Sequence, residues 1–166
     1  MTGQDARLTI RRAGPADADF LADMLVEAAN WRPEGKRSRA DTLADPLICH
    51  YIDGWPRPGD LGLVAELGGT PAGAAWLRFF PASDPAFGFV GPDVPELVIG
   101  MRAECRGRGA GRALLRALAD AARAAGIGQI SLSAGRANYA HALYLAEGYR
   151  IVDRSDPNSD TMVKDL

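Results

Sequence analysis

The sequence predicts a single α/β domain, a layered sandwich whose sheet is antiparallel in its first half. Three observations carry this. The patterned segments run strand, two helices, three strands, helix, strand, helix, then one or two closing strands, and such a mixture packs as helices on a sheet. LGLVAEL and PAGAAWLRFF are joined only by GGT, a hairpin signal that makes the first strands antiparallel. The length of 166 residues suits one domain with a substantial core and is short for two.

RLTIRR, residues 7 to 12, alternates like a short strand, and Pro15 and Asp17 in the GPAD that follows are helix-start residues. DADFLADMLVEAAN then places Phe20, Leu21, Met24, Leu25 and Ala28 on one helical face. A polar segment, WRPEGKRSRADT, leads to a second helix through Leu43, Leu47, Ile48 and Tyr51, stopped by GWPRPGD. After the hairpin, PASDPAFGFVGPDVP, residues 81 to 95, has too much proline and glycine to continue either neighbour, and ordered loops of that length are often functional. ELVIGM is a mostly apolar strand. The helix after it turns Leu114, Leu115, Leu118, Ala121, Ala122 and Ala125 toward the core and ends at Gly126. QISLS is a strand, NYAHALYLAEG a short helix closed by Gly148, and YRIVD with TMVKDL completes the sheet.

A net charge of -2 leaves no cationic excess for neutralising nucleic-acid phosphates. No apolar run reaches the length of a membrane span, and MTGQDARLTIRR lacks the apolar centre of a secretion signal, so the cytoplasm is the expected location. Cys49 and Cys105, without CxxC spacing, are expected to be structural thiols, and no metal site is expected.

The segment RGRGAGRALL, residues 106 to 115, concentrates the chemistry. Gly107, Gly109 and Gly111 directly precede a helix, so unpaired N–H groups of the loop and first helical turn can converge on one anion. Arg102, Arg106, Arg108 and Arg112 lie around the same point and suit phosphate oxygens. The bland alternative is a solvated basic turn. A Walker loop is excluded because Gly111 is followed by Arg112 and Ala113 rather than by Lys and Ser or Thr. A dinucleotide fingerprint fails because Arg112 stands where its third glycine belongs.

The pattern Arg/Gln-x-x-Gly-x-Gly/Ala, met at Arg106, Gly109 and Gly111, resembles the GCN5-related N-acetyltransferase family. A second signature lies downstream in NYAHALYLAEGY, with Asn138 opening a helix, Tyr144 inside it and Gly148-Tyr149 closing it. The resemblance follows the order of elements along nearly the whole chain, with its specific motifs in residues 96 to 149. It implies a mixed, mainly antiparallel central sheet of six to seven strands with helices on both faces, one N-acetyltransferase domain over residues 1 to 166, and acetyl-CoA as acetyl donor. The pyrophosphate would then lie on Arg106, Gly107, Arg108, Gly109, Ala110, Gly111 and Arg112. The pantetheine arm would meet exposed backbone at Ile99, Gly100 and Met101, with Gly100 easing its approach and QISLS as the opposite wall. Family members often carry a proline three residues before the Arg; here that position is Ala103.

Attack of an amine on a thioester needs the amine deprotonated, and a lysine-like amine has a reference pKa of about 10.4. The resemblance makes Glu96 the candidate base, directly or through water; paired with an arginine it would instead be structural. Glu104 reads as a solvated or arginine-paired residue. Tyr144 matches the tyrosine the family holds near the sulfur, and a phenol with a reference pKa of about 10 suits protonation of a leaving thiolate. Packed against Leu143 and Tyr149 it would be merely a core aromatic. Asn138 suits a helix cap, a cofactor contact, or both. A backbone N–H near Met101 could polarise the acetyl carbonyl. His50 and His141 are expected to pack rather than react. The acceptor, a small-molecule or peptide amine, would meet Trp31, Trp55, Phe87 and Phe89, with the core as the equal alternative for these aromatics. The rival reading is a non-catalytic acyl-CoA-binding regulatory module on the same fold. Homodimers are common in the family, and nothing in the sequence establishes one here.

Overall fold

A computed structural model describes residues 6–166. Seven strands form one sheet in the order β1-β2-β3-β4-β5-β7-β6, with β1 Leu8–Arg12, β2 Leu61–Leu67, β3 Thr70–Arg78, β4 Glu96–Met101, β5 Gln129–Gly135, β6 Arg150–Asp153 and β7 Ser159–Asp165. Every pairing is antiparallel except β4 with β5. The hairpin of β2 and β3 has the register Leu67↔Thr70 through Leu61↔Leu77. Chain connectivity explains the single parallel pair: α4, Ala110–Ala124, carries the chain back across the sheet between β4 and β5.

Helices cover both faces. Helix α1, Ala18–Ala29, buries Leu21, Ala22, Met24 and Leu25 against Val64, Ala74, Trp76 and Val98. Helix α4 buries Leu114, Leu115, Leu118 and Ala122 on the other face, against Leu63, Ala75, Leu97 and Leu132. Buried on both sides, β2 and β3 read as nearly continuous apolar runs. Ala125, expected in the core, is exposed instead, because it caps α4 while Ala119 takes an inner position. Gly126, at φ 80°, ends the helix, and the Ile127 N–H bonds the Ala122 carbonyl at 3.0 Å.

The expected second helix is in fact two short ones, α2 Arg39–Ala44 and α3 Pro46–Cys49. Pro46 is the cause: the residue before a proline avoids helical geometry, and Asp45 is extended at ψ 116°. The Asp45 carboxylate then caps α3 by accepting the Leu47 N–H. The break leaves Leu47 exposed and delivers Tyr51, in the turn after α3, to the α1 face of the sheet. Helix α5, Ala140–Ala146, joins β5 to β6. Among the described residues no helix is long and apolar enough to cross a membrane.

Candidate active site

The site begins where the sheet comes apart. Strands β4 and β5 share one pair, Glu96↔Ser131, held by Ser131 N–H to the Pro95 carbonyl at 3.0 Å, and then diverge. The Arg102 N–H bonds the Ala72 carbonyl on the β3 side at 2.8 Å. Main-chain groups alternate sides along a strand, so those of Ile99 and Met101 face the β5 side, where no ladder meets them. A cavity of about 1000 Å³ fills the gap, bordered by β4, β5, the glycine loop and α5.

Gly100 is in place for a different reason from the one the resemblance suggested. Its main-chain groups face β3, and a Cβ there would lie 2.2 Å from the Met24 carbonyl oxygen. Glycine lets α1 lie directly on β4; it lines the cavity but serves helix packing.

Below the gap the chain forms a short 3-10 turn at Ala103–Cys105 and enters the glycine loop. Gly107 and Gly109 are left-handed, at φ 76° and 80°, a conformation that costs other residues about 1 kcal/mol or more. The first bond back into the loop is Ala113 N–H to the Gly109 carbonyl, 3.1 Å, so the N–H groups of Ala110, Gly111 and Arg112 have no helical acceptor. Gly107, Gly109, Ala110 and Gly111 line the cavity with open space about the three glycine Cα atoms. The four arginines divide. Arg106 and Arg112 line the cavity, Arg106 bonded to Glu27 at 3.1 Å and to the Met101 carbonyl at 3.4 Å, and Arg112 paired with Glu147 at 3.1 Å. Arg102 instead stacks on Phe20, and Arg108 is exposed outside the cavity lining. Charge at the loop comes from Arg106 and Arg112, beside the bare amides.

Glu96 stands at the base of the gap, 2% exposed. Its Oε1 accepts the Tyr51 hydroxyl at 2.7 Å and the Gly88 N–H at 2.9 Å, while Oε2 is buried without a partner. Burial pushes its pKa from 4.5 up to about 7, with the Tyr51 and Gly88 bonds opposing the rise. The arginine pairing that would have made it structural is missing: Arg78, its partner across the β3 ladder, turns to Asp60 at 2.7 Å.

Tyr144 lines the same cavity from α5, with burial holding its phenol pKa above the ordinary 10 and its ring edge-on to Tyr149. The expected packing with Tyr149 and the cavity position therefore coexist. Asn138 also lines the cavity, and its Oδ1 accepts the Ala140 N–H at 3.0 Å, at the start of α5 but one residue before the cap position, which Tyr139 holds. His141, expected to be incidental, meets buried Asp160 at 2.9 Å, where Arg136 and Arg154 also bind, and these contacts, His141 foremost, hold the Asp160 pKa down to about 2. His50 packs on Tyr51 and Phe80. Glu104 is exposed. Both cysteines are free, and Cys105 borders the cavity. Among the described residues no group of three or more His, Cys, Asp or Glu could hold a metal ion.

Of the four aromatics expected around an acceptor, Trp31 and Phe87 line the cavity. Trp55 and Phe89 do not: Trp55 packs edge-on against Trp76 and donates to the Gly14 carbonyl, and Phe89 packs on the α1-side core. Apolar residues in loops serve the core as readily as a ligand, and composition does not separate the two.

Residues 24–149 match the model of the acetyltransferase (GNAT) family. The chain belongs to that family. Three solved structures illustrate the likeness of fold. The Brucella melitensis ribosomal-protein-alanine N-acetyltransferase is 24% identical, with TM-score 0.68, covering 95% of this chain and 99% of that one. The PaiA N-acetyltransferase of Thermoplasma acidophilum, in complex with coenzyme A, is 19% identical, with TM-score 0.63 and coverage of 96% and 99%. YncA of Salmonella typhimurium, with its cofactor acetyl-CoA, is 21% identical, with TM-score 0.67 and coverage of 97% and 94%. No curated protein matches the sequence.

In this GNAT chain the structure adds two site groups that the sequence reading missed, the Tyr51 hydroxyl and the Gly88 N–H. Tyr51 reads in sequence as one more apolar position of an amphipathic helix. Gly88 offers no side-chain signal at all.

Proposed function

We propose that the protein is an acetyl-CoA-dependent N-acetyltransferase that acetylates a primary amine by direct transfer in a ternary complex. The observation that carries the reading is the coincidence, in one cavity, of an unladdered β4 edge, a run of acceptor-free amides at the α4 N-terminus and a buried carboxylate with one unpartnered oxygen.

The residues fit the donor. Open backbone at Gly107, Gly109, Ala110 and Gly111, with Arg106 and Arg112 beside it, suits a diphosphate. The main chain of Ile99 and Met101 suits the amides of a pantetheine arm lying as a partial strand. When bound, acetyl-CoA supplies an activated acetyl thioester.

Glu96 takes a proton from the acceptor ammonium or amine, freeing the nitrogen lone pair to form the C–N bond as the C–S bond breaks. A base with a pKa of about 7 is half ionised near neutrality, which matches the working pH of a general base. The Met101 N–H lies beside the glycine loop, five residues along β4 from Glu96, so the Ile99 N–H, on the same gap side and nearer the base, is the better donor to polarise the acetyl carbonyl. Tyr144 gives its proton to the departing sulfur, and its raised pKa keeps it protonated until then. The second proton lost from the nitrogen as the C–S bond breaks restores the Tyr144 phenol, and the first leaves Glu96 for solvent, so the products are free thiol, acetylated amine and one proton. Trp31 and Phe87 give the acceptor an apolar wall. The cytoplasm remains the proposed setting, and a small-molecule or peptide amine the proposed partner.

The test is thiol release from acetyl-CoA against a panel of amines, including polyamines, amino acids and peptide N-termini. Turnover on at least one amine, with kcat reduced about 10²-fold or more in Tyr144→Phe, is the expected result. Tight coenzyme A binding with no turnover on any amine would favour the regulatory module instead.

A further inference from the structure

Glu96 is held asymmetrically, and the hydrogen-bond directions are forced. The Phe87 N–H donates to the Tyr51 oxygen at 3.1 Å, so the one phenolic proton of Tyr51 is the one that runs to Glu96 Oε1. The Gly88 N–H, which can only donate, reaches the same Oε1. An oxygen receiving two donors has no place for a proton of its own. Protonation must therefore occur at Oε2, which is buried and unpartnered. We propose that Tyr51 is a positioning residue that, with the Gly88 amide, locks Oε1 of Glu96 as an acceptor and so makes Oε2 the atom through which the proton passes. The proposal deepens the acetyl-transfer reading and rests on Glu96 as its base.

Two structural features make the clamp rigid. Tyr51 is 5% exposed, wedged among His50, Phe80 and Phe87, so its hydroxyl has little freedom to turn away. Gly88 lies directly on β5: a Cβ there would sit 2.5 Å from the Leu132 carbonyl carbon and 2.7 Å from the Ser133 nitrogen. The long loop of residues 81 to 95 thus reaches the sheet at the one residue whose amide completes the clamp. The same loop carries Phe87, so acceptor wall and base are set by one segment. The other charged groups around the carboxylate are occupied elsewhere. Arg78 binds Asp60 and the carbonyls of His50 and Asp53, and His50 faces Asp84 at 3.3 Å.

The role differs from that of a core tyrosine because it acts on the charged form of Glu96. Removing a donor to a carboxylate raises its pKa, by about one unit or more for a charge-assisted bond. The experiment follows Glu96 by infrared difference spectroscopy across pH in the full-length protein, with its band identified as the one lost in Glu96→Gln. In the wild type the protonated carboxyl should show a low-frequency C=O stretch, since Oε1 remains doubly hydrogen-bonded. Tyr51→Phe should raise that frequency and move the titration midpoint up by about one pH unit or more. The acidic limb of kcat/KM should move with it, while KM for acetyl-CoA stays constant. Incorporation of 2,3-difluorotyrosine at position 51, a stronger donor of nearly the same shape, should move the midpoint the other way, and it decides the matter if Tyr51→Phe does not fold. An unmoved midpoint in both variants, or an equal loss of rate at every pH, overturns the proposal. A midpoint that shifts in a protein that acetylates no amine upholds the clamp and rejects the acetyl-transfer reading; turnover without a shift does the reverse.

Discussion

Replacing Glu96 with glutamine should make the protein more stable and less active, and the stability gain should depend on pH. Burial raises the folded-state pKa of Glu96 from 4.5 to about 7. Below pH 4.5 the side chain is neutral in both folded and unfolded chains, so no cost arises. Between the two values the unfolded chain releases a proton that the folded chain keeps, and stability falls as pH rises. Above about 7 both are ionised and the full cost stands. The shift corresponds to about 3 kcal/mol at pH 8, from 1.36 kcal/mol for each unit. Glutamine resembles the neutral acid and its oxygen still accepts from Tyr51 and Gly88. Glu96→Gln should therefore melt higher than the wild type by roughly 6–12 °C at pH 8 and about equally at pH 4. Thermal unfolding followed by circular dichroism across that range is the assay, with acetyl transfer falling by about 10²-fold or more in parallel. A difference in melting temperature that does not change with pH would refute the reasoning, because it would mean the carboxylate carries no desolvation cost.

The glycines of β4 and of the loop should respond differently to the same substitution, the first chiefly in stability and the second chiefly in binding. Gly100→Ala places a methyl against the Met24 carbonyl, backbone on backbone, and should cost on the order of 3 kcal/mol by pushing α1 off the sheet, read as a lower melting temperature. Gly109→Ala meets no neighbour and should lose only about 1 kcal/mol from its left-handed backbone, yet weaken coenzyme A binding by about tenfold or more in calorimetry.

Much of the fold was legible because its elements are locally consistent. The apolar spacing of α1 and α4, the hairpin turn, and the glycines ending α4 and α5 each stand in the sequence and each appear in the structure. The second helix reads as one in sequence because apolar periodicity runs on through Leu43, Leu47 and Ile48, while Pro46 breaks the backbone regardless of the pattern and makes it two. For the site, Arg106, Gly109, Gly111, Asn138 and Tyr144 were visible as motifs because their chemistry depends on local spacing, and the structure brings them to one cavity. For Trp55 and Phe89 the core is the alternative that holds, and the sequence leaves it open because an aromatic in a loop looks the same whether it faces a ligand or the core.

What the sequence could not display is the sharing of work between distant segments. Tyr51 and Glu96 are 45 residues apart, and Gly88 contributes only its backbone. Neither contact leaves a spacing to be recognised, since β4 places Glu96 while a proline-made corner places Tyr51. The same separation has a mechanical consequence. The carboxylate is tied to the glycine loop through β4 itself, a rigid strand whose far end at Met101 is gripped by Arg106, and Arg106 in turn is held by Glu27 on α1. Base and anion site thus sit at opposite ends of one six-residue strand, with α1 seated on its Gly100 between them. At about 3.3 Å per residue, that strand sets the distance from the diphosphate site to the base by its own length rather than by loop conformation. Lengthening or shortening β4 by one residue would also flip the face on which Glu96 projects, so the spacing between Glu96 and Arg106 is constrained twice over, by reach and by alternation.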